Sequence, residues 1–320
     1  MIKHKRMLPE KKIVTSKNQR IFLPLLTQKK VSLTVKREDL LHPVISGNKY
    51  RKLYFNIREA KKQNKKVLIT FGGAYSNHIL ATAGAGKEFD FETIGIIRGD
   101  ELGKDISKTL SENPTLKAAH ELGMQFKFVS RTEYRTKDSP EFLETLKTVY
   151  PDAYILPEGG TNALAIKGCE QIVDSETLTF DFICVAVGTG GTISGIAKNS
   201  GKKQQVLGFP ALKGDFLETV ISEAIPDTHN WMLQHNYNFG GYAKINKELI
   251  TFINNFKRTT GILLDPVYTG KMMYGILNLI ENDFFPEGAE IVAIHTGGLQ
   301  GIKGMNTVLQ KKGLPLLIEK

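Results

Sequence analysis

The chain has 320 residues, 41% of them hydrophobic and 24% charged, which suits a globular protein of one large or two ordinary domains. Its net charge of +10 is scattered in short clusters such as KHKR (3–6) and KKQNKK (61–66), with no helix-turn-helix or RNA-binding signature, so a nucleic-acid partner is not expected. No apolar run approaches the ~20 residues of a membrane span, and the charged start MIKHKRMLPEKK has no apolar stretch behind it; the expectation is a cytoplasmic protein with neither membrane anchor nor secretory leader.

Taken in chain order, apolar runs of strand length alternate with helical stretches. VLIT (67–70) predicts a strand and 76–87 a helix; TIGIIR (93–98) is followed by a periodic segment over 105–122, and FKFV (126–129) by another over 139–149. Further on, DFICVAV (181–187) runs into a glycine turn and ISGIAK, VLGF (206–209) precedes a helix over 214–224, and EIVAIH (290–295) again meets glycines. This alternation predicts an α/β protein built on open, twisted, mostly parallel sheets with helices on both faces. The pattern is interrupted at ILPEGGTNAL (155–164), which suggests a small α/β domain over 46–155 and a large one from 1–45 plus 156–320. A cleft between two such domains is where a ligand is expected.

The two cysteines, Cys169 and Cys184, form no CxxC pair, and Cys184 lies in an apolar run. None of the seven histidines sits in an HExxH motif, so no metal site is expected.

Three glycine turns follow strands. VGTGGTISG (187–195) opens a helix, where free N–H groups receive an anion; its alternative is a plain tight turn. Position 193 is Ile, which breaks GxGxxG, and no Gly-Lys-Ser/Thr follows, so a single phosphate monoester fits better than a dinucleotide or a triphosphate. FGGAYSNHILATAGAG (71–86) places Ser76, Asn77 and His78 at a helix start, where Ser76 or Asn77 is also a natural N-cap. IHTGGLQG (294–301) repeats the arrangement. Separately, SGNKYRKL (46–53) sets Lys49, Arg51 and Lys52 beside a turn: either three solvated charges, or a reactive amine held in a pocket.

GNKYRKL, GGAYSNH, GTGGT, DPVYTGK and HTGG, in this order, resemble the family of 1-aminocyclopropane-1-carboxylate deaminases and D-cysteine desulfhydrases, over about residues 30 to 305. The resemblance implies the tryptophan-synthase-β-like fold with pyridoxal 5'-phosphate in the cleft, and a homodimer. It implies that Lys49 carries the cofactor as a Schiff base, with Lys52 and Arg51 as the cations that depress its pKa. Gly188, Thr189, Gly190, Gly191 and Thr192 would bind the phosphate with help from Lys52, Asn77 would bond the cofactor's 3'-oxygen, and Thr296 would partner the pyridine nitrogen. Ser76 would face the substrate carboxylate or relay a proton, and Tyr268 resembles the family's active-site tyrosine; its alternative is a core aromatic. Substrate contacts are expected from Tyr75, Ser76, Asn77, His78, Gly160, Thr161 and Tyr268, with Asn162 beside them.

Ring-opening deaminases resemble one another in having Glu after that tyrosine and Leu in an HLGG turn; Thr269 and Thr296 stand there instead. Both point to the desulfhydrase side, whereas Tyr75 in place of the usual Gln and Glu158 in PEGGTN depart from the relatives. The resemblance thus implies α,β-elimination from a small amino acid, D-cysteine first, giving pyruvate, ammonia and hydrogen sulfide, with either Lys49 or Tyr268 taking the Cα proton. Aminocyclopropane-carboxylate deamination to 2-oxobutyrate, a non-catalytic cofactor or amino-acid binder, and a sugar-phosphate or nucleotide binder remain the alternatives.

Overall fold

The computed structural model describes residues 15–320; the expectations for KHKR and for a missing leader lie outside the described residues. Ten strands form in chain order: β1 (Asn18–Ile21), β2 (Ser32–Lys36), β3 (Val67–Gly72), β4 (Glu92–Arg98), β5 (Met124–Val129), β6 (Ala153–Leu156), β7 (Phe182–Val187), β8 (Gln205–Pro210), β9 (Trp231–Leu233) and β10 (Glu290–Ile294). They divide into two sheets, a six-stranded one ordered β1-β2-β10-β7-β8-β9 and a four-stranded one ordered β5-β4-β3-β6. All pairings are parallel except β1 with β2.

Continuous apolar strands are what a sheet covered on both faces demands. In β7, Cys184 and Ala186 enter one core while Ile183, Val185 and Val187 enter the other, and β10 splits Ile291 and Ala293 from Val292 and Ile294 in the same way. The small sheet does likewise, with Leu68 on one side of β3 and Ile69 and Phe71 on the other. The segment over 105–122 is two helices, because Asn113 caps a second helix that begins at Pro114.

Three helices converge between the sheets: Asn48–Lys62, Ala163–Glu170 and Gly191–Asn199. Their contacts run through glycines. A Cβ on Gly168 would stand 2.0 Å from the Arg51 carbonyl oxygen, and one on Gly195 2.5 Å from that of Ile166. This close crossing brings the start of the first helix to the turns after β7 and β10. Gly47, at φ +62°, makes the entry possible: its Cβ would fall 2.0 Å from the Thr296 carbonyl oxygen. Among the described residues no helix is long and apolar enough to cross a membrane, and no three metal-ligating side chains group together.

Candidate active site

The turns after β3, β7 and β10 leave the C-terminal edges of parallel strands, where open α/β sheets hold their ligands. Lys49, in the first turn of the Asn48–Lys62 helix, points its amine at the Gly159 carbonyl oxygen, 3.1 Å away. Lys52 Nζ donates to the same oxygen at 3.0 Å and to Thr161 Oγ1 at 2.8 Å. Two amines sharing one carbonyl repel each other when both are charged. Burial, reinforced by Lys52, accordingly pushes the Lys49 amine well below the ordinary lysine range. Arg51 does not contribute as expected from the sequence. Its guanidinium is buried and bidentate on Glu38, at 2.8 Å for each contact, so its charge is already neutralised.

The GTGGT turn lies against this pair. Gly190 is the N-cap of the Gly191–Asn199 helix at φ +81°, and Thr189, Thr161 and Lys52 form one polar cluster with the two hydroxyl oxygens 2.6 Å apart. Thr192 Oγ1 accepts from Asn48 Nδ2 at 2.9 Å, tying the turn to the lysine-bearing helix. Thr161 therefore faces Lys52 and the phosphate-type turn, and Asn162 is spent capping its own helix and pairing with Asn56.

Tyr75, Asn77 and His78 each lie over a glycine. Cβ atoms on Gly304, Gly298 and Gly160 would stand 2.7, 2.8 and 2.6 Å from the Tyr75 ring, Asn77 Nδ2 and His78 Cε1 respectively. Ser76 is the N-cap, accepting the His78 N–H at 3.2 Å. Both ring nitrogens of His78 are buried without a partner among the described residues. Burial, then Lys49 and Lys52, hold that ring well below the usual histidine range, so it is neutral. Thr296 is buried, and its carbonyl oxygen accepts from Asn48 N at 3.3 Å.

Tyr268 stands over Gly188, whose Cβ would lie 3.1 Å from the phenol ring. Burial raises its pKa well above the ordinary phenol, with Tyr242 and Asp265 adding to the rise. Asp265 builds the turn that presents it, accepting from the backbone N–H groups of Val267, Tyr268 and Thr269 at 2.8, 2.9 and 2.8 Å. Thr269 is fully buried, and its hydroxyl donates to Asp265 Oδ2 at 2.8 Å.

Sequence reasoning missed Tyr242, whose ring centroid lies 6.3 Å from that of Tyr268 with the hydroxyls within hydrogen-bonding reach. It also missed Lys271, Asp265 and Asn48. Only Asp265 carried a local signal, an Asp four residues before a Thr at a helix start.

The sequence pattern of the pyridoxal-phosphate-dependent enzymes matches residues 19–297. The bifunctional D-cysteine desulfhydrase/1-aminocyclopropane-1-carboxylate deaminase of Arabidopsis thaliana is 34% identical over 84% of this chain and 73% of its own length. The D-cysteine desulfhydrase of Yersinia pestis is 29% identical over 82% of this chain and 86% of its own. A putative 1-aminocyclopropane-1-carboxylate deaminase of Pyrococcus furiosus is 30% identical, over 83% and 84%. Among solved structures, an ACC deaminase homologue superposes with a TM-score of 0.73 at 28% identity, covering 90% of each chain. With its two-sheet fold, its central lysine and a match along nearly its whole described length, the chain belongs to the pyridoxal-phosphate-dependent enzyme family, as a lyase.

Proposed function

We propose that the cleft catalyses α,β-elimination from a small amino acid with a β-leaving group, D-cysteine foremost, giving pyruvate, ammonia and hydrogen sulfide. The observation that carries this reading is the partly buried Lys49 amine, held below the lysine range by desolvation and by Lys52, beside the GTGGT turn. The residues present fit pyridoxal 5'-phosphate: an amine of lowered pKa for its aldehyde, a glycine-floored helix start for its phosphate, and a buried imidazole whose two nitrogens have no partner within the described chain. In this reading Lys49, Asn77, Gly188, Thr189, Gly190, Gly191, Thr192 and Thr296 hold the cofactor, with Lys52 as counter-charge.

Bound there, the group supplies an electron sink for charge developing at Cα. Lys49, whose amine burial and then Lys52 make easier to deprotonate than an ordinary lysine, is the group able to take the Cα proton. Tyr268 keeps its proton, because its pKa lies above the ordinary phenol, and so serves as a hydrogen-bond donor or acid rather than as the base. Ser76 and the N–H groups of Asn77 and His78, at a helix start, suit the substrate carboxylate. Tyr75, resting on Gly304, walls the entrance from the small sheet to the Gly301–Lys311 helix. Thr296 offers a hydroxyl rather than a carboxylate, which leaves the sink weaker and favours elimination over transamination.

A second reading, opening of 1-aminocyclopropane-1-carboxylate to 2-oxobutyrate, is favoured by the relatives named as 1-aminocyclopropane-1-carboxylate deaminases. Thr269 speaks against it: a buried hydroxyl locked to Asp265 occupies the position where the ring-opening deaminases carry Glu. The proposal includes a small lobe over 46–155 against a large lobe from 1–45 and 156–320, a homodimer, and a cytoplasmic location. Purified protein loaded with pyridoxal phosphate should absorb near the visible edge and turn over D-cysteine to pyruvate, and Lys49→Ala should lose both. Formation of 2-oxobutyrate without pyruvate would shift the assignment to the second reading.

A further inference from the structure

At the C-terminal ends of β3, β4 and β5 lies a cavity of about 480 Å³, lined by Gly73, Ala74, Arg98, Arg131, Tyr134 and Arg135 among others. Gly73 and Ala74 lead directly into Tyr75 and Ser76, so this cavity adjoins the candidate substrate turn. Arg98 leans over that turn: a Cβ on Gly73 would stand 3.5 Å from its guanidinium nitrogen. Its other side faces the Tyr134 ring at 5.7 Å, a contact that orients the planar cation.

The neighbouring carboxylates are engaged by other cations: Glu101 by Arg131 at 2.6 Å, and Asp138 and Glu158 by Lys137 at 2.8 and 3.2 Å. Among the described residues neither Arg98 nor Arg135 has a carboxylate within ion-pair distance, so two free guanidinium groups border one pocket. The buried Tyr134 hydroxyl faces Glu158 without a well-formed hydrogen bond. The Arg98 charge is also felt at the Tyr242 phenol, across the cleft beside Tyr268. A neutral β-substituent such as a thiol needs none of this. An oxyanion two or three bonds beyond Cβ is what a planar, five-donor cation recognises.

We propose that this pocket is a subsite for an anionic group on the substrate's side chain, so that beside D-cysteine the cleft takes β-substituted amino acids carrying a carboxylate, sulfonate or phosphate beyond Cβ, in preference to their uncharged counterparts. The proposal rests on the reading of the cleft as an amino-acid lyase site and extends its substrate class. For a phosphate ester the elimination balances without a further reactant. The Cα–H electron pair becomes the Cα=Cβ bond, the proton passes to a protein base, and the Cβ–O pair departs with phosphate. Water then converts the enamine to pyruvate and ammonium.

The test compares holoenzyme and Arg98→Gln on O-phosphoserine, serine and cysteine of both hands. O-phosphoserine is expected to exceed serine in kcat/KM by about tenfold or more, and Arg98→Gln to cost O-phosphoserine about tenfold more than it costs cysteine, the scale of one charge-assisted contact. Equal losses on all three substrates, or no preference for the phosphorylated one, would overturn the subsite. Sulfate that activates cysteine turnover without competing with O-phosphoserine would make the pocket an effector site and equally overturn it. Should no amino acid be turned over, the lyase reading itself fails. Calorimetry of inorganic sulfate binding to holoenzyme then decides the pocket separately: binding that disappears in Arg98→Gln upholds an anion site, and no Arg98-dependent binding removes it.

Discussion

Lys271 Nζ donates to the Gly241 carbonyl oxygen at 2.7 Å and to that of Asn238 at 2.8 Å, a buried lysine spent on holding one loop. That loop is costly to form. Phe239 and Ala243 are non-glycine residues at φ 52° and 55°, flanking Gly240 and Gly241 at 92° and 110°. Between them the loop presents Tyr242 to Tyr268. Lys271→Met removes two charge-assisted hydrogen bonds, although each carbonyl keeps a backbone N–H donor, so a loss of about 1–3 kcal/mol is expected, read as a lower denaturant midpoint. Turnover should fall roughly tenfold as Tyr242 loosens, about 1.4 kcal/mol of barrier.

The same lysine makes stability depend on pH. Burial brings its pKa down to about 8, against the opposing pull of Asp265. In the unfolded chain it titrates near ~10.4, so between these values the unfolded state binds more protons and stability must rise with pH. The gain is complete above the unfolded value and lost as pH falls through the folded one. Denaturation curves at pH 7.5 and 10.5 should show the wild type gaining on the order of 2 kcal/mol relative to Lys271→Met. Parallel behaviour of the two proteins would contradict the assignment.

Glu38→Gln should be severely destabilising. It strips the carboxylate from Arg51 while that guanidinium stays buried on the lysine-bearing helix. Breaking such a pair costs about 3–5 kcal/mol. The melting temperature should drop accordingly and cofactor retention with it, whereas Glu38→Asp should restore part of both.

Tyr268→Phe removes only a hydroxyl, and the ring keeps its seat over Gly188. The fold and the cofactor absorbance should survive, and kcat should fall about a hundredfold or more, the range for loss of a positioned proton donor. A variant with full turnover would show that Tyr268 is a packing aromatic.

Much of the architecture was legible in the chain. VLIT, TIGIIR, FKFV and VLGF lie in strands, while DFICVAV and EIVAIH each overrun theirs by one residue, at Asp181 and His295. The inner strands are apolar because both their faces are buried, whereas FKFV, on the edge strand β5, alternates. Elements with weaker signals were not read. NQRI and WML form edge strands β1 and β9 that owe their place to a neighbour, and the break in 105–122 turns on a single Asn-Pro pair. At the candidate site, the five motifs named the turns and the lysine.

What the sequence determined by itself was therefore local: which runs are strands, which turns expose N–H groups, and which lysine heads a helix. The pairings that set chemistry were decided only by the tertiary structure. Arg51 is lost to Glu38, 13 positions away, while Lys52 shares the Gly159 oxygen with Lys49 and depresses it. Tyr242 reaches Tyr268 because Lys271 ties down its loop. Charges and hydroxyls act over a few ångströms, and such distances between remote segments are fixed by helix crossings and burial rather than by any local pattern.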